Sequence, residues 1–169
     1  NLMNRTYDRE WYMERVDSIY KIIPECAISS DMIAGFCTET EDEHKDTISM
    51  IKYARYSMSY MFFYSERPGT LAAKKLKEDI PEDVKQARLQ EIVETQMKMS
   101  LEVNLQAIGK TFKVLVEGDS RRSNQEFKGR NSQNKMINFP KKGDLKPGEY
   151  TWVKVTDATS GSLRGVIVD

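Results

Sequence analysis

Apolar side chains recur along the first half of the chain in two rhythms, and their alternation defines the elements. Tyr12, Val16, Ile19, Tyr20 and Ile23 form one helical stripe. That helix is expected to open at Thr6, with Asp8 and Glu10 in its first turn, and to stop at Pro24. Residues 27–36 read as a short buried strand with Asp31 inside it and Gly35 near its end. Cys37-Thr38-Glu39 then leads into Thr40-x-x-Glu43, a capping box that starts a second helix running to about Arg55. Over residues 57–63, Met58, Tyr60 and Phe62 alternate with Ser57, Ser59 and Met61, which predicts a second buried strand. After the loop at 64–70, Asp79-Ile80-Pro81 opens a long helix that runs to about Ile108, where Gly109 supplies a stop.

Helix–strand–helix–strand over residues 1–80 predicts parallel βα units. Two strands do not make a stable parallel sheet, because both faces and both edges need cover. Further strands are therefore expected upstream of Asn1 or from another chain. The chain, which does not begin with methionine, reads as a severed piece of a larger α/β barrel. Beyond Gly109 the period is two. Phe112, Val114 and Val116 alternate with polar partners, and more strands are expected at 125–131, 135–139, 150–157 and 162–168. Turns at Gly143, Pro147-Gly148 and Ser160-Gly161 separate them. This spacing predicts a small, five-stranded OB-like β-barrel. The expected domains are 1–107, the end of an α/β barrel with its long linking helix, and 108–169, the β-barrel.

Composition narrows the class. Charged residues are 31% and hydrophobic ones 39%, as in a globular rather than a disordered chain. No apolar run approaches the roughly 18 residues a bilayer span needs, and no signal segment opens the chain. Cys26 and Cys37 are the only cysteines, so no disulfide framework is expected and a reducing, cytoplasmic setting is. Without Cys-x-x-Cys spacing or a Cys/His cluster, no metal site is expected in this segment. A net charge of zero conceals an asymmetry: residues 1–107 hold 14 Lys+Arg against 19 Asp+Glu, and residues 108–169 hold 12 against 7. A basic β-barrel appended to an acidic α/β part is the electrostatic footprint of a nucleic-acid-binding appendage.

Two strand-end loops carry candidate chemistry. Tyr64-Ser65-Glu66-Arg67-Pro68-Gly69-Thr70 presents hydroxyls, an arginine and a Pro-Gly turn where α/β enzymes place ligand-binding groups. Arg67 there would clamp a phosphate or carboxylate, or else serve as a surface ion-pair partner. Asp31 and Glu39 flank Gly35, whose missing side chain would let a flat ligand approach the backbone. A nucleoside site is one reading; strand packing with a helix-capping carboxylate is the other. Arg5, in Asn4-Arg5-Thr6, would approach the same rim or stay solvated. His44, the sole histidine, reads as exposed and non-catalytic. Cys37 sits at the rim with no basic neighbour to make a thiolate. Cys26 reads as a small buried residue, and Met58, Met61, Met97 and Met99 read as packing. In the β part, Arg121-Arg122, Lys128-Gly129-Arg130 and Lys135 surround turns close to Phe127. They suit phosphate contacts with base stacking, against the alternative of a solvated basic face.

Together these residues resemble the radical S-adenosylmethionine methylthiotransferases, most closely the branch that acts on isopentenyladenosine in tRNA. Met3-Asn4-Arg5-Thr6-Tyr7, Ser30-Asp31-Met32-Ile33-Ala34-Gly35-Phe36 with Glu39-Thr40, and Tyr64-Ser65-x-Arg67-Pro68-Gly69-Thr70 stand in the family's order and spacing. Residues 108–169 resemble its appended TRAM domain, and Gly129-Arg130-x-Ser132-Gln133-Asn134-Lys135 has the form of the tRNA-acting branch. Cys37 and Thr38 depart from the proline and glycine frequent at those places. The resemblance implies an enzyme that adds a methylthio group to C2 of isopentenyladenosine beside the anticodon. It implies S-adenosylmethionine and two 4Fe-4S clusters as cofactors, with all cluster cysteines upstream of Asn1 and no catalytic residue in this segment. Asn4, Arg5, Asp31, Gly35 and Glu39 would lie by the adenosyl group. Tyr64, Ser65 and Arg67 would border the substrate nucleotide. Arg121, Arg122, Lys128, Arg130 and Lys135 would hold the tRNA so that its anticodon loop enters the barrel mouth. A relative acting on threonylcarbamoyladenosine or a ribosomal protein, and a non-catalytic RNA-binding module, stay open as alternatives.

Overall fold

The computed structural model describes residues 2–3, 5–121 and 123–168; Asn4 and Arg122, both candidate site residues, lie outside the described residues. The chain divides into two compact units, Asn1–Gln96 and Met97–Asp169.

In the first unit, α1 (Arg9–Ile22), β1 (Ser29–Ala34), α2 (Glu41–Ala54) and β2 (Met58–Phe63) follow in the expected order. The cap of α1 is Asp8 rather than Thr6, because the Asp8 carboxylate accepts the Trp11 N–H at 2.9 Å. The Thr40–Glu43 capping box of α2 is fully formed. A short helix that the apolar pattern did not suggest, α3 (Leu71–Lys75), starts at Thr70, whose hydroxyl accepts the Ala73 N–H. The long helix α4 (Glu82–Leu105) begins just after Pro81.

The strands β1 and β2 pair in parallel, Asp31 opposite Tyr60 and Ile33 opposite Phe62. The expectation that β2 buries its apolar alternants is overturned. Met58, Tyr60 and Phe62 are 42%, 56% and 57% exposed, and Ile33 beside them is 41% exposed. Buried instead are Met32, Ala34 and Ser59. The reason is that helices cover one face of this two-stranded sheet, and that face meets the polar side of α4. The Ser59 hydroxyl donates to Gln96 Oε1 (3.1 Å), and Gln96 Nε2 donates to the Tyr56 carbonyl (2.8 Å). Ser59 can be buried because its hydroxyl has found a partner.

In the second unit, β3 (Thr111–Ser120), β4 (Ser123–Asn131), β5 (Met136–Pro140), β6 (Tyr150–Ala158) and β7 (Leu163–Val168) close into a barrel of order β3-β4-β5-β7-β6. Only the β5–β7 seam is parallel. Closure leaves no free sheet edge to manage. The inward residues of the period-two runs, among them Val114, Val116, Ile137, Phe139, Val153, Val155 and Leu163, make one core. At Gly129 the chain passes so close to β3 that a Cβ would run into the Leu115 carbonyl and the Val114 side chain. The last turn of α4 is tied to this barrel. Asn104 Nδ2 donates to the Thr159 carbonyl (2.8 Å) and the Ser160 carbonyl (3.3 Å), while the Gly109 N–H donates to the Val155 carbonyl (2.9 Å).

Candidate functional site

In the first unit a cavity of about 620 Å³ opens along β1 and its following loop. Four consecutive residues of β1, Ser30 to Ile33, line it. Successive strand side chains point to opposite faces, so the cavity follows the strand's edge, the one not paired with β2. Its upper wall is the strand-end loop, from Phe36 to Glu39, and Arg5 stands on the opposing segment. Three predicted residues, Arg5, Asp31 and Glu39, are thereby brought to one space; Gly35, Tyr64, Ser65 and Arg67 are not among its walls.

The three differ in availability. Arg5 and Asp31 are exposed, and their charged groups make no hydrogen bond or ion pair among the described residues. Glu39 is engaged: its Oε2 accepts the Gly35 N–H at 2.8 Å and Arg88 Nη1 at 2.9 Å. Arg88 also donates to the Glu39 carbonyl (2.9 Å), and its Nη2 lies 3.4 Å from Glu41. The side chains of Arg88 and Glu39 are only 10% and 12% exposed. Glu39 therefore shapes the strand-end loop, leaving Asp31 as the free carboxylate.

Gly35 is not the opening for a flat ligand that its lack of a side chain suggests. It adopts φ +68°, and a Cβ there would collide with the methylenes of Lys85. Lys85 is buried, pairs with Glu78, and donates from Nζ to the Tyr64 carbonyl at 3.4 Å. Glycine is required here by the left-handed backbone and by Lys85 packed over it.

The second loop also divides. Tyr64 is buried, its ring edge-on to Phe36 at 5.0 Å between centroids. Its N–H continues the sheet to the Ala34 carbonyl (2.8 Å). Ser65 and Arg67 are exposed, and the Arg67 carbonyl accepts the Thr70 hydroxyl, which shapes the Pro-Gly turn. Cys37 lies in the loop that lines the cavity and is itself buried. His44 is also buried, 1% exposed, with Nε2 at 2.8 Å from Glu91 Oε2; the expectation of an exposed histidine fails because α4 packs over α2 at that point. At the cavity floor the Tyr56 hydroxyl lies 2.8 Å from that of Tyr12, and burial together with this bond raises the Tyr56 pKa.

The basic residues of the second unit are spent unequally. Arg130 pairs with Glu117 (3.1 Å) and donates to the Asn134 carbonyl (2.8 Å). Lys135 is half-buried and donates to Asn104 Oδ1 at 2.8 Å. Burial, with Lys110 nearby, lowers its pKa. The motif from Gly129 to Lys135 is in large part a hairpin connection. Asn131 Oδ1 accepts the N–H groups of Gln133 and Lys135, and Asn134 takes φ +59°. Arg121 and Lys128 carry no ion pair among the described residues. Among those residues no group of three His, Cys, Asp or Glu side chains is placed to hold a metal ion, and no helix is long and apolar enough to cross a membrane.

A parallel βα unit followed by a five-stranded, OB-like barrel is the fold class expected from the sequence. Residues 106–168, nearly all of the second unit, match the family model of the TRAM domain. Over nearly its full length the chain is similar to enzymes named tRNA-2-methylthio-N(6)-dimethylallyladenosine synthase. It is 55% identical to that of Amoebophilus asiaticus over 98% of this chain, 50% to that of Flavobacterium johnsoniae over 98%, and 47% to that of Phocaeicola vulgatus over 97%. The matched stretch is 34%, 34% and 36% of those proteins, so the chain spans about a third of the length of the relatives it matches. The similarity to these synthases thus runs along nearly the whole of this chain.

Proposed function

We propose that this chain serves as the C-terminal part of a tRNA methylthiotransferase, with residues 1–107 completing an α/β barrel and residues 108–169 gripping the tRNA. The observation that carries the reading is the 47–55% identity, over nearly the whole chain, to synthases named for 2-methylthio-N(6)-dimethylallyladenosine. The substrate is then a prenylated adenosine beside the anticodon, the co-substrate S-adenosylmethionine, and the compartment the cytoplasm. The exposed apolar face of β1 and β2 supports the barrel: facing a lumen closed by further parallel strands, Ile33, Met58, Tyr60 and Phe62 would be covered.

S-adenosylmethionine fits the residues present. The cavity along β1 has the volume of a nucleoside-sized site, and Asp31 offers it a carboxylate without a partner. Asp31 would accept hydrogen bonds from the ribose hydroxyls, Arg5 would meet the carboxylate of the amino-acid end, and the half-buried ring of Phe36 would give an apolar wall. When bound, this group supplies the reactive adenosyl and methyl carbons. Glu39, Arg88 and Lys85 act one step removed, holding the turn at Gly35 so that Asp31 and Phe36 keep their places. The iron–sulfur clusters do not fit here. Cys26 and Cys37 are the only cysteines, Cys37 is buried, and no step is derived through a cluster. At the end of β2, Ser65 and Arg67 would bond the phosphate and sugar of the target nucleotide, with the base turned out of its stack. Tyr60 and Phe62 would shield its prenyl group from water.

The test is mass spectrometry of nucleosides from tRNA after deletion of the gene encoding this chain. Methylthiolated adenosines should vanish and return with the restored gene, and restoration with Asp31→Asn should return less than about a tenth of them. An unchanged nucleoside profile in the deletion strain would remove the proposal.

A further inference from the structure

The outward face of the barrel carries a feature that the basic turns around β4 do not account for. On β6, Tyr150 and Trp152 are 59% and 52% exposed, on the same side of adjacent alternants. Two large aromatics side by side, each more than half exposed, form a flat patch on which another ring can stack. The pairing register shows what surrounds them. Lys113 of β3 lies opposite Trp152, which in turn faces Val168 of β7; one row further, Lys154 lies between Thr111 and Val166. The Lys113 ammonium stands over the Tyr150 ring at 4.8 Å from its centroid, which orients that ring. Lys154 of β6 and Arg164 of β7 are exposed and make no ion pair among the described residues. The face also joins the basic turn. Leu115 is opposite both Tyr150 and Arg130 in the register, so one row of outward side chains runs from β4 across β3 to β6.

Resting on the tRNA reading above, we propose that the outer face of β3, β6 and β7 is a stacking platform for unpaired RNA bases. Trp152 is the principal stacker, Tyr150 the second, and Lys113, Lys154 and Arg164 contact the flanking phosphates. Flat rings flanked by cations match single-stranded nucleic acid, whose bases offer π-faces and whose backbone offers charge at each step. A protein partner would be met by an apolar centre depleted of lysine, whereas here lysines stand beside both aromatics.

The chain has two tryptophans, Trp11 and Trp152, so a Trp11→Phe background isolates the fluorescence of Trp152. Titration of the full chain with a short single-stranded oligoribonucleotide is expected to quench that fluorescence. Trp152→Ala should weaken binding on the order of ten-fold without changing its salt slope, and Trp152→Phe should restore most of the loss. Lys154→Ala should lower the salt slope by roughly one contact. Absence of binding by the unsubstituted chain would overturn the RNA reading and the platform together. Binding that persists at full strength in Trp152→Ala and in Tyr150→Ala, with no quenching, would overturn the platform alone. Self-association that disappears in Trp152→Ala while RNA affinity stays unchanged would assign the face to a protein contact and likewise overturn it.

Discussion

Asn104 offers the sharpest test of how the β-barrel is held to the last turn of α4. The residue is 5% exposed and makes three hydrogen bonds: it accepts from Lys135 Nζ at 2.8 Å and donates to the carbonyls of Thr159 at 2.8 Å and Ser160 at 3.3 Å. Asn104→Ala removes a bond to a cation, about 1.5–3 kcal/mol, and at least one neutral bond, about 1 kcal/mol. Water can reach the exposed Thr159 and recover part of this, so a net loss of roughly 2–4 kcal/mol is expected. For a unit of this size each kcal/mol moves the midpoint by about 4–8 °C, and a fall of about 10 °C or more follows. Thermal and urea melts followed through Trp152 in the Trp11→Phe background report on this unit. Lys135→Ala should cost less, about 1 kcal/mol, because it removes the half-buried charge along with its bond. In the double variant the two losses should fall short of their sum by about 1 kcal/mol or more, as for residues in contact. Losses that add within about 0.5 kcal/mol would refute the clamp. An unstabilised Lys135→Ala with a reduced RNA salt slope would make Lys135 a phosphate contact instead.

Four further outcomes are expected. The lowered pKa of Lys135 means that the unfolded chain binds more protons between that lowered value and the ordinary 10.5. The second unit should therefore gain stability as pH rises through that window, a gain that Lys135→Met abolishes in pH-dependent urea melts. Tyr56 has the opposite sign: its raised pKa preserves stability below pH 10.0 and loses it as pH climbs above that value, so the first unit should weaken there, and less so in Tyr56→Phe. Arg88→Met leaves Glu39 buried without its cation and should destabilise the first unit by roughly 3–5 kcal/mol in urea; a loss under about 0.5 kcal/mol would deny the pair its structural role. In filter-binding with tRNA, Arg121→Ala and Lys128→Ala should each lower the salt slope by about one, and Arg130→Ala by less, since Glu117 already neutralises it.

The α/β order, the Thr40 capping box and all five barrel strands were legible as periodicity, because each is a local pattern with a matching cap or turn. The site was legible in its loops but not in its partners. Lys85, Arg88 and Gln96, which hold Gly35, Glu39 and Ser59, share a buried stripe of α4 with Ile92. A search for apolar stripes passes over them, since three of the four are polar and become buried only by pairing. His44 misled for the same reason: three acidic neighbours made it look solvated, yet Glu91, 47 positions away, receives it. Trp152 and Tyr150 were read only as part of a strand, because alternation does not say which of two faces a closed barrel turns inward.

By itself, the sequence determined the order of the longer helices and strands and which loops carry hydroxyls and charge, since these depend on neighbours within a few residues. Tertiary structure alone decided what those groups are free to do. It closed Gly35 under Lys85, bound Glu39 to Arg88 and Lys135 to Asn104, and left Asp31, Arg67 and the rings of β6 facing outward. The physical reason is that a polar side chain is available to a ligand only where the fold has not already satisfied it, and that depends on residues tens of positions away.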